Sequence, residues 1–158
     1  MSLPDIRTLV PHAGPMMLLD SLVAVGEETL CAEVRITADT LFCDGGAVGA
    51  WVGVEYMAQA VAAFAGYEAH SRGEPVKVGF LLGSRKYEVA CPDFPVGSRL
   101  HVHVQRALQG DNGLGAFGCR IVDANHVDGA TLANATITVF QPDNVSEFLQ
   151  KISDEGAV

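Results

Sequence analysis

The chain has 158 residues, 49% of them hydrophobic and 18% charged, with a net charge of −9 and a pI near 4.8. That length fits one domain, residues 1–158, able to bury a substantial core. The acidity excludes a nucleic-acid partner unless a basic stripe offsets it, and the densest positive grouping is only Arg72, Lys77, Arg85 and Lys86.

Taken in chain order, the first segment is "PDIRTLV", read as a short helical turn with Pro4 suited to its first position. Upstream of "VPHAGP" no basic stretch leads into an apolar one, so no secretory signal is expected, and a cytoplasmic protein is. Residues 17–37 read as two strands joined by a turn at Gly26 and Glu27. In the second strand Leu30, Ala32, Val34 and Ile36 alternate with Cys31, Glu33 and Arg35, the period of a half-buried strand.

A glycine-rich loop, "CDGGAVGA", then leads into an apolar helix predicted from about Ala50 to His70, ended by Gly73 and Pro75. This helix is rich in Gly and Ala and is broken by Glu55 and Gln59, so it is expected in a protein core and not across a membrane. Four more strands are predicted near 77–90, 98–108, 113–123 and 130–141, separated by "CPDFPVG", "QGDNG" and "DANHVDG". The turn chemistry of Asp111-Asn112-Gly113 and Asp128-Gly129 favours antiparallel hairpins. After Pro142 the tail reads as a short amphipathic helix. No repeat or linker interrupts the chain.

A helix apolar on every side must be surrounded. With two strands before it and four after, the expected architecture is α+β: a hot-dog fold, in which an antiparallel sheet of about six strands wraps a long central helix. Such a sheet leaves an edge free to pair, so a dimer is the expected assembly.

Three stretches then carry a family resemblance. "LVPHAGPMMLLDSLV", "VGVEYMAQAVAAFAG" and "GFLLGSRKYEVACPDFPVGSRLHVHV" resemble, in order, the opening motif, central helix and following strand of the bacterial 3-hydroxyacyl-ACP dehydratases. Within that family the chain looks most like the dehydratase-type subunits of aryl-polyene clusters. The resemblance implies a lyase acting on fatty-acyl or polyene thioesters carried on the phosphopantetheine of acyl carrier protein, with no other cofactor. It gives Glu55 the role of the acid that protonates the departing 3-hydroxyl. Gln59, at i+4 on the same helical face, orients Glu55 or the substrate. The backbone N–H of Gly83 matches the donor to the thioester carbonyl, helped by free N–H groups at the helix start near Gly49. An unpartnered buried carboxylate is costly, and a Glu poised near neutral pH in an apolar setting can exchange protons in turnover. The plainer alternative for Glu55 is an N-terminal helix acid satisfied by backbone or water; counting from Ala50 places it beyond the first turn.

One departure stands out. The family's loop before the helix carries a catalytic histidine, whereas "LFCDGGAVGAW" has none, and neither Asp44 nor Cys43 is an evident replacement. Three explanations stay open: a histidine-bearing hot-dog subunit completes the site in a heterodimer, instead of a homodimer; His12 serves as the base; or the protein is a hot-dog thioesterase needing only a carboxylate. A non-catalytic subunit that stabilises a dehydratase partner is a further alternative, opposed by the retention of Glu55.

Of the other candidates, Trp51, Tyr56, Phe64 and Phe80 read as core or acyl-tunnel lining, Trp51 and Phe80 being the ones assigned to substrate. Arg85 and its basic neighbours are either solvated charge or a docking point for an acidic carrier. His70 and His126 read as surface residues. His101 and His103 share one strand face, but no further ligand stands at a fixed spacing, so no metal site is expected. The four cysteines, without a C-x-x-C pair, are expected to be reduced.

Overall fold

The computed structural model describes residues 3–11, 14–75, 80–110 and 112–140, the side chains of Pro15, Phe80, Leu81 and Leu82 excepted. Among the described residues, nine strands and one long helix follow one another in the order β1 (Ser21–Val25), β2 (Thr29–Arg35), β3 (Cys43–Asp44), β4 (Ala47–Gly49), α1 (Gly53–Ser71), β5 (Phe80–Val89), β6 (Asp93–Pro95), β7 (Arg99–Gln109), β8 (Leu114–Asp123) and β9 (Thr131–Phe140). Six strands form an antiparallel sheet ordered β1-β2-β7-β8-β9-β5, and β3, β4 and β6 form a small second sheet. The hot-dog architecture expected from the element order is present.

Alternation puts the core on one face of the large sheet. Leu30, Ala32 and Val34 of β2 lie opposite Val104, Val102 and Leu100 of β7, and all six are buried against α1. β8 and β9 continue this surface with Ile121 and Ile137, both fully buried. From the helix Tyr56, Met57, Ala60 and Phe64 fill the space between. Each large side chain so buried contributes about 1.5–3 kcal/mol of hydrophobic stabilisation. At its C-terminal half the helix is also tied to β7: the Arg106 guanidinium stacks 4.5 Å over the Phe64 ring and bonds to the Glu68 carboxylate.

The N-terminal segment closes over the helix. Asp5 caps a single 3-10 turn at Ile6–Thr8, accepting from the Arg7 N–H at 3.0 Å, so Pro4 precedes the cap and does not occupy the first helical position. Ile6 and Leu9 are buried, and the Leu9 carbonyl lies so close to α1 that a Cβ on Gly66 would stand 1.9 Å from it. Gly66 is therefore a close-approach glycine. The same reason applies at Gly129 in the β8–β9 turn, where a Cβ would meet the Asp123 carbonyl at 1.6 Å.

Three expectations need correction. The glycine-rich loop and "CPDFPVG" are not simply irregular: β4 pairs with both β3 and β6, and Phe94 is fully buried. Isolated strands of two or three residues carry no detectable period, so the sequence pattern is blind to them. Trp51 is not a core residue; it is 68% exposed. Nor is α1 fully enclosed by the described residues, because Val54, Ala58, Ala62 and Ala65, spaced to form one stripe, are only partly buried. The tail helix expected after Pro142, and Asp111 of the β7–β8 turn, lie outside the described residues.

All four cysteines are free thiols. Among the described residues no helix is long and apolar enough to cross a membrane.

Candidate active site

Glu55 lies in the first turn of α1, directly after a 3-10 turn at Ala50–Val52, and is half-buried. This corrects the expectation that it sits beyond the first turn and fully inside the core. The difference arises because residues 50–52 wind as 3-10 and the α-helical ladder begins only at Gly53. No side chain caps the helix start, and the Gly53 N–H is taken by the Ala50 carbonyl of the preceding 3-10 turn. A carboxylate or a developing oxyanion near that end is favoured by the aligned peptide dipoles.

Gln59 is fully buried and makes three hydrogen bonds. Its Nε2 donates to Glu55 Oε1 at 3.0 Å and to the Met16 carbonyl at 2.8 Å, while its Oε1 accepts from the Leu18 N–H at 2.9 Å. The i+4 spacing thus brings the Gln59 amide into hydrogen-bond contact with the Glu55 carboxylate. The amide does more than that. It clamps the segment at 16–18 against the helix one turn from the carboxylate, a link between positions 41 and 43 residues apart in sequence. A buried amide with both N–H groups and its oxygen engaged has one rotamer and one flip that satisfy it, so Glu55 is held in place.

Aromatic side chains stand at the start of the helix. Tyr87 donates through its hydroxyl to the Ala50 carbonyl at 2.5 Å, pinning the helix start to β5. That hydroxyl takes the space a side chain at residue 53 would need, since a Cβ on Gly53 would lie 2.2 Å from it. Burial pushes the Tyr56 and Tyr87 phenols upward, Tyr87 to about 12, so both stay neutral hydroxyls. Just before the helix, the Trp51 ring meets Phe42 edge-on at a centroid distance of 5.5 Å, and Phe42, itself 43% exposed, holds a left-handed φ of 69°. A bulky residue in that region is uncommon and costs on the order of 1–3 kcal/mol. The sequence reading passed over Phe42, because nothing in its neighbours signals a positive φ.

Gly83 lies on β5, opposite Thr138 of β9 at a register shift between Leu81 and Gly83. A Cβ there would meet nothing, and the residue is exposed. β5 is the outermost strand of the sheet, so one flank of its backbone has no partner strand among the described residues. Arg85 and Lys86 follow on the same exposed edge, Lys86 with a φ of 53°, while Arg72 at the helix end pairs with Glu74 at 3.3 Å. Phe80 pairs its backbone with Phe140, but its side chain lies outside the described residues, as do His12 and Lys77.

None of the described histidines is placed to act with Glu55. His101 and His103 alternate with the buried Leu100, Val102 and Val104, so they stand on the face of the sheet away from α1. His70 is exposed near the far end of the helix, roughly 22 Å along the axis at 1.5 Å per residue. His126 is an exposed turn residue 3.7 Å from Asp123. Asp44 is exposed on β3, and Cys43 is partly buried beside it. The described part of the chain therefore holds a positioned carboxylate with no histidine beside it.

The fold is that of the hot-dog proteins, and the comparisons with known proteins give the class within it. The family model for ApeP-like proteins, described as ApeP dehydratase, matches residues 4–150, and the chain belongs to that family. Among solved structures, the dehydratase heterocomplex ApeI:P from Xenorhabdus doucetiae is similar at 28% identity and a TM-score of 0.87, over 96% of this chain and 99% of that one. More distant structures share the fold alone. Zebrafish thioesterase superfamily member 2 has 11% identity and a TM-score of 0.63, over 87% of this chain and 92% of its own. A hypothetical thioesterase from Streptococcus pneumoniae TIGR4, solved with coenzyme A, has 12% identity and a TM-score of 0.59, over 77% and 84%. No curated protein matches the chain significantly.

Proposed function

We propose that this dehydratase converts 3-hydroxyacyl thioesters, carried on the phosphopantetheine of an acyl carrier protein, into trans-2-enoyl thioesters, as the glutamate-bearing half of a heterodimer. The observation that carries the reading is the pairing of a clamped Glu55 with the lack of any described histidine close to it. Elimination of water needs two proton movements: a base takes the C2 proton, the C2=C3 bond forms, and the C3–O bond breaks as an acid delivers a proton to the hydroxyl. Glu55 is suited to the second step, held through one carboxylate oxygen by Gln59 at the end of the helix where negative charge is tolerated. The first step falls to a histidine on a second hot-dog subunit. The backbone N–H of Gly83, Phe80 and Trp51 are assigned to the thioester and its acyl chain. The setting is cytoplasmic synthesis of an acyl chain of the aryl-polyene type.

Two features support a partner. The apolar stripe Val54, Ala58, Ala62 and Ala65 on α1 is left partly open, and the exposed aromatic pair Phe42 and Trp51 borders the same helix start. β5 offers a free edge for sheet pairing. The ApeI:P structure is itself a dehydratase heterocomplex. The test is mass-spectrometric detection of water loss from 3-hydroxyacyl-ACP, by the protein alone and mixed with a histidine-bearing hot-dog subunit encoded nearby. Dehydration by the mixture only is the expected result. Dehydration by the protein alone overturns the shared site and makes His12→Ala the next variant, and release of free acid moves the chain to the thioesterases.

Arg85, on the exposed edge of a chain whose net charge is −9, is assigned to the acidic carrier. Arg85→Glu is expected to raise KM for the carrier-bound substrate several-fold at low salt and to leave kcat nearly unchanged. A KM that is unaltered and insensitive to ionic strength removes Arg85 from that role.

A further inference from the structure

The face of the large sheet turned away from α1 carries a second grouping of reactive side chains, unrelated to Glu55. Strand register assembles it. Cys31 on β2 lies directly opposite His103 on β7, and Glu33 lies opposite His101. A ligand atom from each of Cys31, His101 and His103 lies within 4.8 Å of the other two, with Cys31 Sγ 3.9 Å from His103 Nε2. Glu33 Oε1 stands 3.1 Å from His101 Nε2 and fixes that ring through one nitrogen, leaving the other as a lone-pair donor. Cys31 and His103 also line a groove of about 540 Å³ that opens on this face, so an ion and a fourth ligand have access.

We propose that Cys31, His101 and His103 bind one zinc ion on this outer face, with Glu33 orienting His101. A thiolate and two imidazoles are a donor set suited to zinc, and a tetrahedral ion separates its ligand atoms by roughly 3.3–3.8 Å, given bond lengths of about 2.0–2.3 Å. The present spacing reaches that range with small side-chain rotations. The carboxylate-to-histidine contact is the outer-sphere arrangement that orients a ligating imidazole. His103 is held below the ordinary imidazole range by burial and by the charges of Arg120 and His101, so it offers a neutral ring. Burial pushes the Cys31 thiol up to about 11, so the free thiol stays protonated and the ion must displace that proton. Opposing the site, Arg120 lies across from His103 on β8. The ion's role is to cross-link β2 and β7 behind the core; the dehydration chemistry does not use it.

The test is cobalt(II) titration of the chelator-treated full-length chain, followed by zinc displacement. One equivalent of cobalt is expected to give a near-ultraviolet thiolate-to-metal band and tetrahedral visible bands, both quenched by zinc. Cys31→Ser is expected to lose the thiolate band while its complex keeps dehydratase activity, and the double variant Cys43→Ser/Cys91→Ser to retain it. Glu33→Gln is expected to weaken binding roughly 10–100-fold, and Arg120→Gln to tighten it several-fold. Zinc should raise Tm for the unaltered chain but not for His101→Ala/His103→Ala, a readout that stands even if Cys31→Ser folds poorly. Absence of the thiolate band, its persistence in Cys31→Ser, its loss in the Cys43/Cys91 variant, or an equal zinc-induced Tm shift in the double-histidine variant overturns the site.

Discussion

Glu55→Gln is expected to lower kcat for dehydration by the completed complex roughly 10²–10⁴-fold, the usual worth of a positioned acid, while subunit assembly and Tm stay close to those of the unaltered protein. The substitution is nearly isosteric, and an amide oxygen at that position still accepts from Gln59 Nε2. What it loses is the exchangeable proton. Because Glu55 is half-buried in the first helical turn and not enclosed by the core, little packing depends on it. Single-turnover water loss, measured by mass spectrometry beside a thermal melt of the same complex, separates the two effects. Retained activity would show that the chain serves its partner as a scaffold only.

The second large effect belongs to Gln59. Gln59→Leu keeps the volume but removes all three hydrogen bonds, leaving the Leu18 N–H without its acceptor and the Met16 carbonyl without its donor. An unsatisfied buried group costs about 1–3 kcal/mol, so Tm is expected to fall by several degrees. Glu55 loses one of its ties, and kcat is expected to drop roughly tenfold or more, since small misplacements of a reacting group carry large penalties. The split is diagnostic: a residue that only stabilises the fold lowers Tm, and kcat per folded complex survives. A variant with lowered Tm, unchanged kcat and an unchanged pH profile would reduce Gln59 to a structural tie.

Much of this was legible in the residues because it is local. The alternation of Leu30, Ala32 and Val34, and of Leu100, Val102 and Val104, assigns strands and their buried face without any knowledge of neighbours. Glu55 and Gln59 share a helical face because four residues make about one turn, and their 3.0 Å contact follows. The motif resemblance was local too: it ran in order along nearly the whole chain, and the family model matches residues 4–150.

What the tertiary structure alone decided is non-local. The register between β2 and β7 sets Cys31 against His103, 72 residues away, and so supplies a third ligand that no spacing in the sequence announces. The fold brings Met16 and Leu18 to Gln59, turning one polar helical residue into a clamp. It leaves Trp51 in solvent beside a strained Phe42 and keeps part of α1 uncovered, though apolar composition argues for burial in both cases. Hydrophobicity states that a side chain prefers to be covered; it does not state by which chain. Periodicity is a property of a few neighbouring residues, whereas register and the choice between covering a surface and leaving it for a partner depend on contacts summed over the whole sheet. For that reason the sequence by itself determined the hot-dog fold and the i, i+4 placing of Glu55 and Gln59, and only the three-dimensional arrangement showed that His101 and His103 stand on the outer face of the sheet and His70 near the far end of the helix, away from Glu55.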